Sequence, residues 1–230
     1  LMRALAAGFG GSDVVFSGVG KTREEMRAAL AAGVGSLNVE SEEELAVLAA
    51  VAQDMGCTAP VGIRVNPEVA VETHPYTVTG SRGNKFGVPH DEAEALALRA
   101  SRTPGIVLRS LAMHVGSQVT DTAPFAAGLA CLEGLVARLR AAGITTLTTL
   151  DLGGGLGIRY RATDPQPDVR AYADAIVPAV ATLGLRLAVE PGRFLMGNAG
   201  VLLTRVLYRK RSGGRMFAVV DAGMNDLLRP

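Results

Sequence analysis

Short β-branched runs alternate with alanine- and leucine-rich stretches along most of the chain. DVVFS (13–17) precedes TREEMRAALAAG, SLNV (36–39) precedes SEEELAVLAAVAQDMG, and VGIRVN (61–66) precedes a long loop and then HDEAEALALRAS. LRSLAMHV (108–115) precedes PFAAGLACLEGLVARLRAAG, and LTTLDL (147–152) precedes a loop and then DVRAYADAIVPAVATLG. LRLAVE (185–190) closes the series, so the pattern predicts six strands and five helices.

The predicted helix ends have chemical support. Thr22 with Glu25 and Ser41 with Glu44 fit the capping box, in which each side chain satisfies the other residue's free backbone N–H. Gly33, Gly56, Gly143 and Gly184 stand where a left-handed C-terminal cap is wanted. The strand runs lack clean polar alternation, which predicts strands buried on both faces and therefore a parallel sheet covered by helices.

Two closures suit such a chain, a doubly wound open sheet or a (β/α)8 TIM-type barrel. Polar or glycine-rich groups follow nearly every strand: Gly18 to Lys21, Asn38 and Glu40, Arg64 and Asn66, His114 to Gln118, Gly153 to Gly155, and Glu190 to Arg193. A barrel gathers these ends at one mouth, whereas an open sheet spreads them along an edge. The α/β barrel is the expected fold, over residues 1–199. From residue 200 the pattern changes: GVLLTRVLYRKR and RMFAVVDAG are strand-like around Gly213-Gly214, which predicts a hairpin opening a C-terminal β domain over 200–230.

Composition narrows the function classes. The 230 residues are 48% hydrophobic with a formal net charge of +1, which gives no electrostatic case for nucleic acid or an acidic membrane surface. Aromatics are 4% with no tryptophan, so no base-stacking platform is evident. Apolar runs stop short of the 18 or so residues of a membrane span, and the first residues lack a signal-peptide pattern. Cys57 and Cys131 stand far apart and read as reduced thiols of a cytoplasmic protein. Three scattered histidines give no zinc cluster, so no metal is expected.

The candidate chemistry lies at the strand ends. Three consecutive glycines let a ligand reach main-chain N–H groups, which suits phosphate; a turn or packing role explains such a run equally well. EPGR (190–193) supplies Arg193, whose forked guanidinium suits an oxyanion, while Glu190 and Arg193 could equally form a silent rim salt bridge. HVGSQ (114–118) adds an imidazole and a hydroxyl. Arg64, inside a strand, needs a partner to be buried, and Glu190 is the expected one.

The ordered segments FSGVGKTREEM, LNVESEEEL, RVNPEV, THPYTVTGSRGNKFGV, HVGSQVTDTAPF, LDLGGGLGIRY, AVEPGRFLMGNAGVLLTRVLY and VVDAGMNDLLRP closely resemble the diaminopimelate decarboxylase family. These are fold-type III enzymes with an alanine racemase-like barrel, dependent on pyridoxal 5'-phosphate. The resemblance covers essentially the whole chain. GGG, HxGS and EPGR are shared with ornithine and arginine decarboxylases, while HPYxxTG…KFG and AGMNDLxRP are more specific to the diaminopimelate branch. Val78, where that branch often has serine, is a departure.

The resemblance implies a cofactor site of Arg64, His114, Ser117, Gly153, Gly154, Gly155, Glu190, Pro191, Gly192 and Arg193. Gly153 to Gly155, Ser117 and Arg193 would lie at the phosphate. His114 and Glu190 would be the catalytic pair, His114 stacked on the pyridine ring and Glu190 against its nitrogen, with Arg64 supporting Glu190. Arg193 and Arg229 would meet the carboxylates of the substrate, meso-diaminopimelate. The implied reaction is decarboxylation to L-lysine and CO2, in a cytoplasmic homodimer with shared active sites. Alternatives are another basic amino-acid decarboxylase of the class (ornithine, arginine or carboxynorspermidine) and a non-catalytic protein like antizyme inhibitor.

One part of the family pattern is missing. The Schiff-base lysine sits in a YAVKAN-like segment on the first barrel strand, and the chain has no such segment; Lys21, Lys85 and Lys210 belong to other motifs. The expectation is therefore a partial chain that lacks the first two strands and most of the β domain. Expressed alone, it is expected to release no CO2 and to be poorly soluble.

Overall fold

The computed structural model describes residues 1–69 and 85–228. The HPYTVTG stretch with His74 and Val78, and Arg229, lie outside the described residues. The chain divides into two compact units, Leu1–Phe194 and Leu195–Pro230.

The first unit carries a parallel sheet whose strands are β1 (Val15–Phe16), β2 (Ser36–Val39), β3 (Ala59–Asn66), β4 (Val88–Pro89), β5 (Ile106–Met113), β6 (Thr149–Asp151) and β7 (Arg186–Ala188). Their spatial order is β1-β2-β3-β5-β6-β7, with the short β4 pairing with the end of β3. Strand order thus follows chain order, without the reversal that defines a doubly wound sheet. Right-handed crossovers in one direction put the connecting helices on one face and leave the other as an interior, which is the TIM-type arrangement.

The main connecting helices are α2 (Arg23–Ala31), α3 (Glu42–Asp54), α4 (Ala93–Arg102), α5 (Ala123–Ala141) and α6 (Val169–Thr182). The short α1 (Met2–Ala6), and α7 (Gly192–Met196) within EPGRFLM, are additions to the sequence pattern. At the start of α2, Thr22 and Glu25 form the full capping box. At α3 only half of it forms. Ser41 Oγ accepts from Glu44 N, but the Glu44 carboxylate takes the backbone N–H of Glu40 and the ammonium of Lys21 instead. Gly33, Gly56, Gly143 and Gly184 all adopt positive φ, as helix-ending glycines do.

The central strands are buried on both faces, as expected, but the two faces differ in chemistry. Leu37, Val39, Val61, Ile63, Leu111 and Leu150 are fully buried in the core between sheet and helices. The opposite face carries small or polar groups in register: Asn38 beside Gly62, Gly62 beside Ser110, and Ser110 beside Thr149. One step further toward the strand ends, Arg64, Ala112, Asp151 and Ala188 form the next row. Gly62 is required there, because a Cβ would collide with Asn38 Oδ1 and Ser110 Oγ reaching across it. The core is closed by Phe125 of α5 packed edge-on to Tyr172 of α6, with ring centroids 4.8 Å apart.

The second unit contains the antiparallel hairpin of β8 (Val206–Ser212) and β9 (Arg215–Val220). Gly213 and Gly214 both have positive φ, +54° and +75°, as a two-residue I′ turn demands. Among the described residues, no helix is long and apolar enough to cross a membrane.

Candidate active site

At the C-terminal ends of the strands a cavity of about 160 Å³ is lined by Ser17, Asn38, Arg64, His114, Asp151 and Glu190. Each comes from a different strand or strand end. A second cavity of about 430 Å³ lies on the same sheet face toward the strands' N-terminal ends, between Ser36, Ser110, Thr149 and Asp151.

Arg64 reaches the cavity from β3, but its ion pair differs from the expected one. The guanidinium bonds Glu40 at 3.0 Å, not Glu190. The other Glu40 oxygen accepts from Gly87 N at 2.8 Å, and Arg64 lies over the Phe86 ring at 5.1 Å. The β2 end is simply nearer, and Glu40 is itself buried. Behind this pair Lys21 bonds Glu44 at 2.6 Å with only 3% of its side chain exposed.

His114 follows β5. Its Nδ1 accepts the main-chain N–H of Gly154 at 3.2 Å, which fixes a neutral ring with the proton on Nε2. Burial, aided by the Arg64 charge, pushes its pKa down to about 4.

The glycine triplet is held by the strands on either side. Gly153 N donates to Asp151 Oδ1 at 2.9 Å, and Gly153 O accepts from Glu190 N at 2.8 Å. A Cβ on Gly153 would run into Met113 O, on Gly154 into Glu190 O, and on Gly155 into Gly116 O. What approaches these glycines is first of all neighbouring backbone, and the N–H groups of Gly153 and Gly154 are already donated within the protein. Val119 N in turn donates to Gly155 O at 2.9 Å, which draws the HVGSQ loop against the triplet.

Glu190 is exposed at the rim. Crowding by protein, reinforced by the charge and hydrogen bond of Asp151 and opposed by Arg64, raises its pKa to about 7. Pro191 and Gly192 form the turn into α7, and a Cβ on Gly192 would meet nothing within 4 Å. Arg193, exposed on α7, reaches Gln118 Oε1 at 3.4 Å. The same Gln118 oxygen accepts from Ile158 N at 3.2 Å, so one amide side chain ties together three loops. Ser117 lies between His114 and Gln118 in that cluster.

A sequence profile described as "Pyridoxal-dependent decarboxylase, pyridoxal binding domain" matches residues 1–197. The chain belongs to this family. Its relatives include diaminopimelate decarboxylases of Pseudomonas aeruginosa (52% identical over all of this chain and 55% of the relative) and Pseudomonas fluorescens (48%, with the same coverage). The decarboxylase fold is matched by crystal structures of diaminopimelate decarboxylase complexed with L-lysine. That from Helicobacter pylori gives a TM-score of 0.93 at 40% identity, covering all of this chain and 57% of that one. That from M. jannaschii gives 0.90 at 33% identity, covering all of this chain and 54% of that one. The chain thus spans little more than half the length of these decarboxylases.

Pyridoxal phosphate is the family's cofactor, and the donor set fits it. Asp151 Oδ2 is buried and finds no hydrogen-bond donor among the described residues, while the adjoining Glu190 offers a second carboxyl. Such an acidic end suits a protonated ring nitrogen. The guanidinium of Arg193 at the rim, bonded to Gln118, the residue after Ser117, suits a phosphate dianion. Asp151 and Glu40 carried no assigned role in the sequence. For Asp151 a signal existed: a carboxylate inside a strand otherwise fit for full burial.

Proposed function

We propose that the protein carrying this chain is a pyridoxal phosphate-dependent carboxy-lyase that converts meso-2,6-diaminopimelate to L-lysine and CO2, the last step of lysine biosynthesis. The observation that carries the reading is the convergence of Arg64, His114, Asp151 and Glu190 on one cavity, in a chain 52% identical to a diaminopimelate decarboxylase.

The bound cofactor would supply an electron sink for the charge left when CO2 departs. Glu190 would hold the proton on the ring nitrogen. A positive nitrogen beside it favours its ionised form and offsets the crowding that raises its pKa. His114, neutral above about pH 4, would lay an uncharged imidazole against the ring without competing for its proton. Arg64 would act at one remove, through its field on Glu190. The cavity alone is smaller than the roughly 300–1,000 Å³ of most ligand clefts, so it would take the ring. The phosphate would then lie at the rim among Ser117, Gly153 to Gly155, Pro191, Gly192 and Arg193. Arg193 and Arg229 would receive substrate carboxylates.

Neither Lys21 nor Lys85 lines the cavity, and Lys210 belongs to another motif. The covalent lysine is therefore to be supplied from outside these residues, and the 230-residue chain alone is expected to release no CO2. Residues 1–199 would serve as the pyridoxal-binding barrel and residues 200–230 as the start of the β domain, in a cytoplasmic homodimer.

A substrate panel on the full-length protein tests the reading. CO2 release from meso-diaminopimelate is expected to exceed that from ornithine or arginine by at least an order of magnitude, as a bidentate carboxylate contact implies. Equal turnover of ornithine would sink it.

A further inference from the structure

Asp151 is 2% exposed, in register between Ala112 and Ala188. One of its oxygens is satisfied by Gly153 N at 2.9 Å, and the other, Oδ2, has no donor among the described residues. The other carboxyl facing the same cavity is that of Glu190. Two carboxylates cannot bond each other without a proton between them, and a buried acceptor left unmet is costly. Gly153 locks the pair, because its N–H anchors Asp151 while its carbonyl anchors the backbone of Glu190.

We propose that Asp151 is a positioning residue that shares one proton with Glu190, so that the empty site carries a single negative charge and gives up that proton when a cationic ring nitrogen arrives. This rests on reading the cavity as the pyridoxal site. The balance is simple: the shared proton leaves for the ring nitrogen or for water, and both carboxylates then face the cation. The charged and titratable groups around the pair are Arg64 from β3, with its partner Glu40, neutral His114 after β5, Tyr172 of α6 and Arg193 of α7. Asp13, Arg109 and Arg186 line the cavity on the far side of Asp151. Arg64 favours the ionised pair, whereas burial and the mutual repulsion of the two carboxyls favour the protonated one.

The test uses the full-length protein and pyridoxal 5'-phosphate. Calorimetry in two buffers of different ionisation enthalpy counts the protons exchanged on binding. Asp151→Asn keeps an oxygen for Gly153 N but removes the pair. Near pH 6.5, wild type and Asp151→Asn are expected to differ by at least about half a proton per site, whatever the ring's own state, and the difference should vanish above about pH 8, past the Glu190 titration. Carbon-13 titration of the Glu190 carboxyl without cofactor gives an independent reading. Its midpoint is expected near 7 in wild type and at least one unit lower in Asp151→Asn. If the variant does not fold, wild-type proton exchange must still change with a midpoint near 7. Equal proton counts, a Glu190 midpoint in the ordinary carboxylate range, or a pH-independent wild-type exchange would overturn the pair. Failure of the cofactor to bind wild type would instead overturn the site assignment, leaving the carboxyl titration to decide the pair.

Discussion

The main-chain N–H of Gly154 points at Nδ1 of His114, 3.2 Å away. The bond joins the ends of two strands that are adjacent in the sheet, and it is lost if the imidazole takes a second proton, because Nδ1 then becomes a donor.

This makes His114 an acid-sensitive element of stability. Its pKa is about 4 when folded against an ordinary 6.5, so between those values the unfolded chain binds more protons. The stabilisation is complete above pH 6.5 and is lost progressively toward pH 4, by on the order of 2–3 kcal/mol. Glu190 acts in the opposite sense, its raised pKa eroding stability as pH climbs from about 4.5 to 7. Urea unfolding of wild type and His114→Gln at several pH values separates the two. The variant should lack the acid-side loss and keep the Glu190 trend.

Two glycines thirty-eight positions apart in one loop system should respond oppositely to alanine. Gly154→Ala drives a methyl into the Glu190 carbonyl and should cost about 2–4 kcal/mol, through overpacking and a broken strand-end bond. Gly192→Ala enters open space and should stay within about 0.5 kcal/mol. Thermal melting of both proteins measures the contrast.

Breaking the Glu40–Arg64 pair strands a largely buried charge, since the two side chains are 4% and 15% exposed. Glu40→Ala should destabilise by about 3–5 kcal/mol. Glu40→Ala with Arg64→Met should cost clearly less than the sum of the single changes, which a double-mutant cycle in urea would reveal.

Phe125 is fully buried against Tyr172. Phe125→Ala should cost about 3–5 kcal/mol, whereas Phe125→Leu, which leaves a smaller void, should cost less than half of that. Denaturant midpoints provide the measure.

Much of this is legible in the sequence. The alternation of β-branched and alanine-rich runs located six parallel strands and five helices, and the Thr22–Glu25 capping box formed as written. The inner face was harder to read. The strands are buried on both faces, as expected, but small residues such as Gly62, Ser110 and Ala112 look neither polar nor apolar enough to show that the two faces differ in chemistry. Pairing was harder still. Arg64 visibly needed a carboxylate, but choosing Glu40 over Glu190 depends on strand-end distances that spacing along the chain does not encode. The glycine triplet suggested a ligand's close approach and also turned out to admit three backbone carbonyls.

Because each strand lies beside the one made just before it, apart from the short β4 insertion, nearly every contact in the sheet is between consecutive segments. Such a molecule pays loop-closure entropy in small instalments, one crossover at a time. A chain leaving the ribosome can therefore dock each new strand on the growing edge as it appears, without waiting for a distant partner.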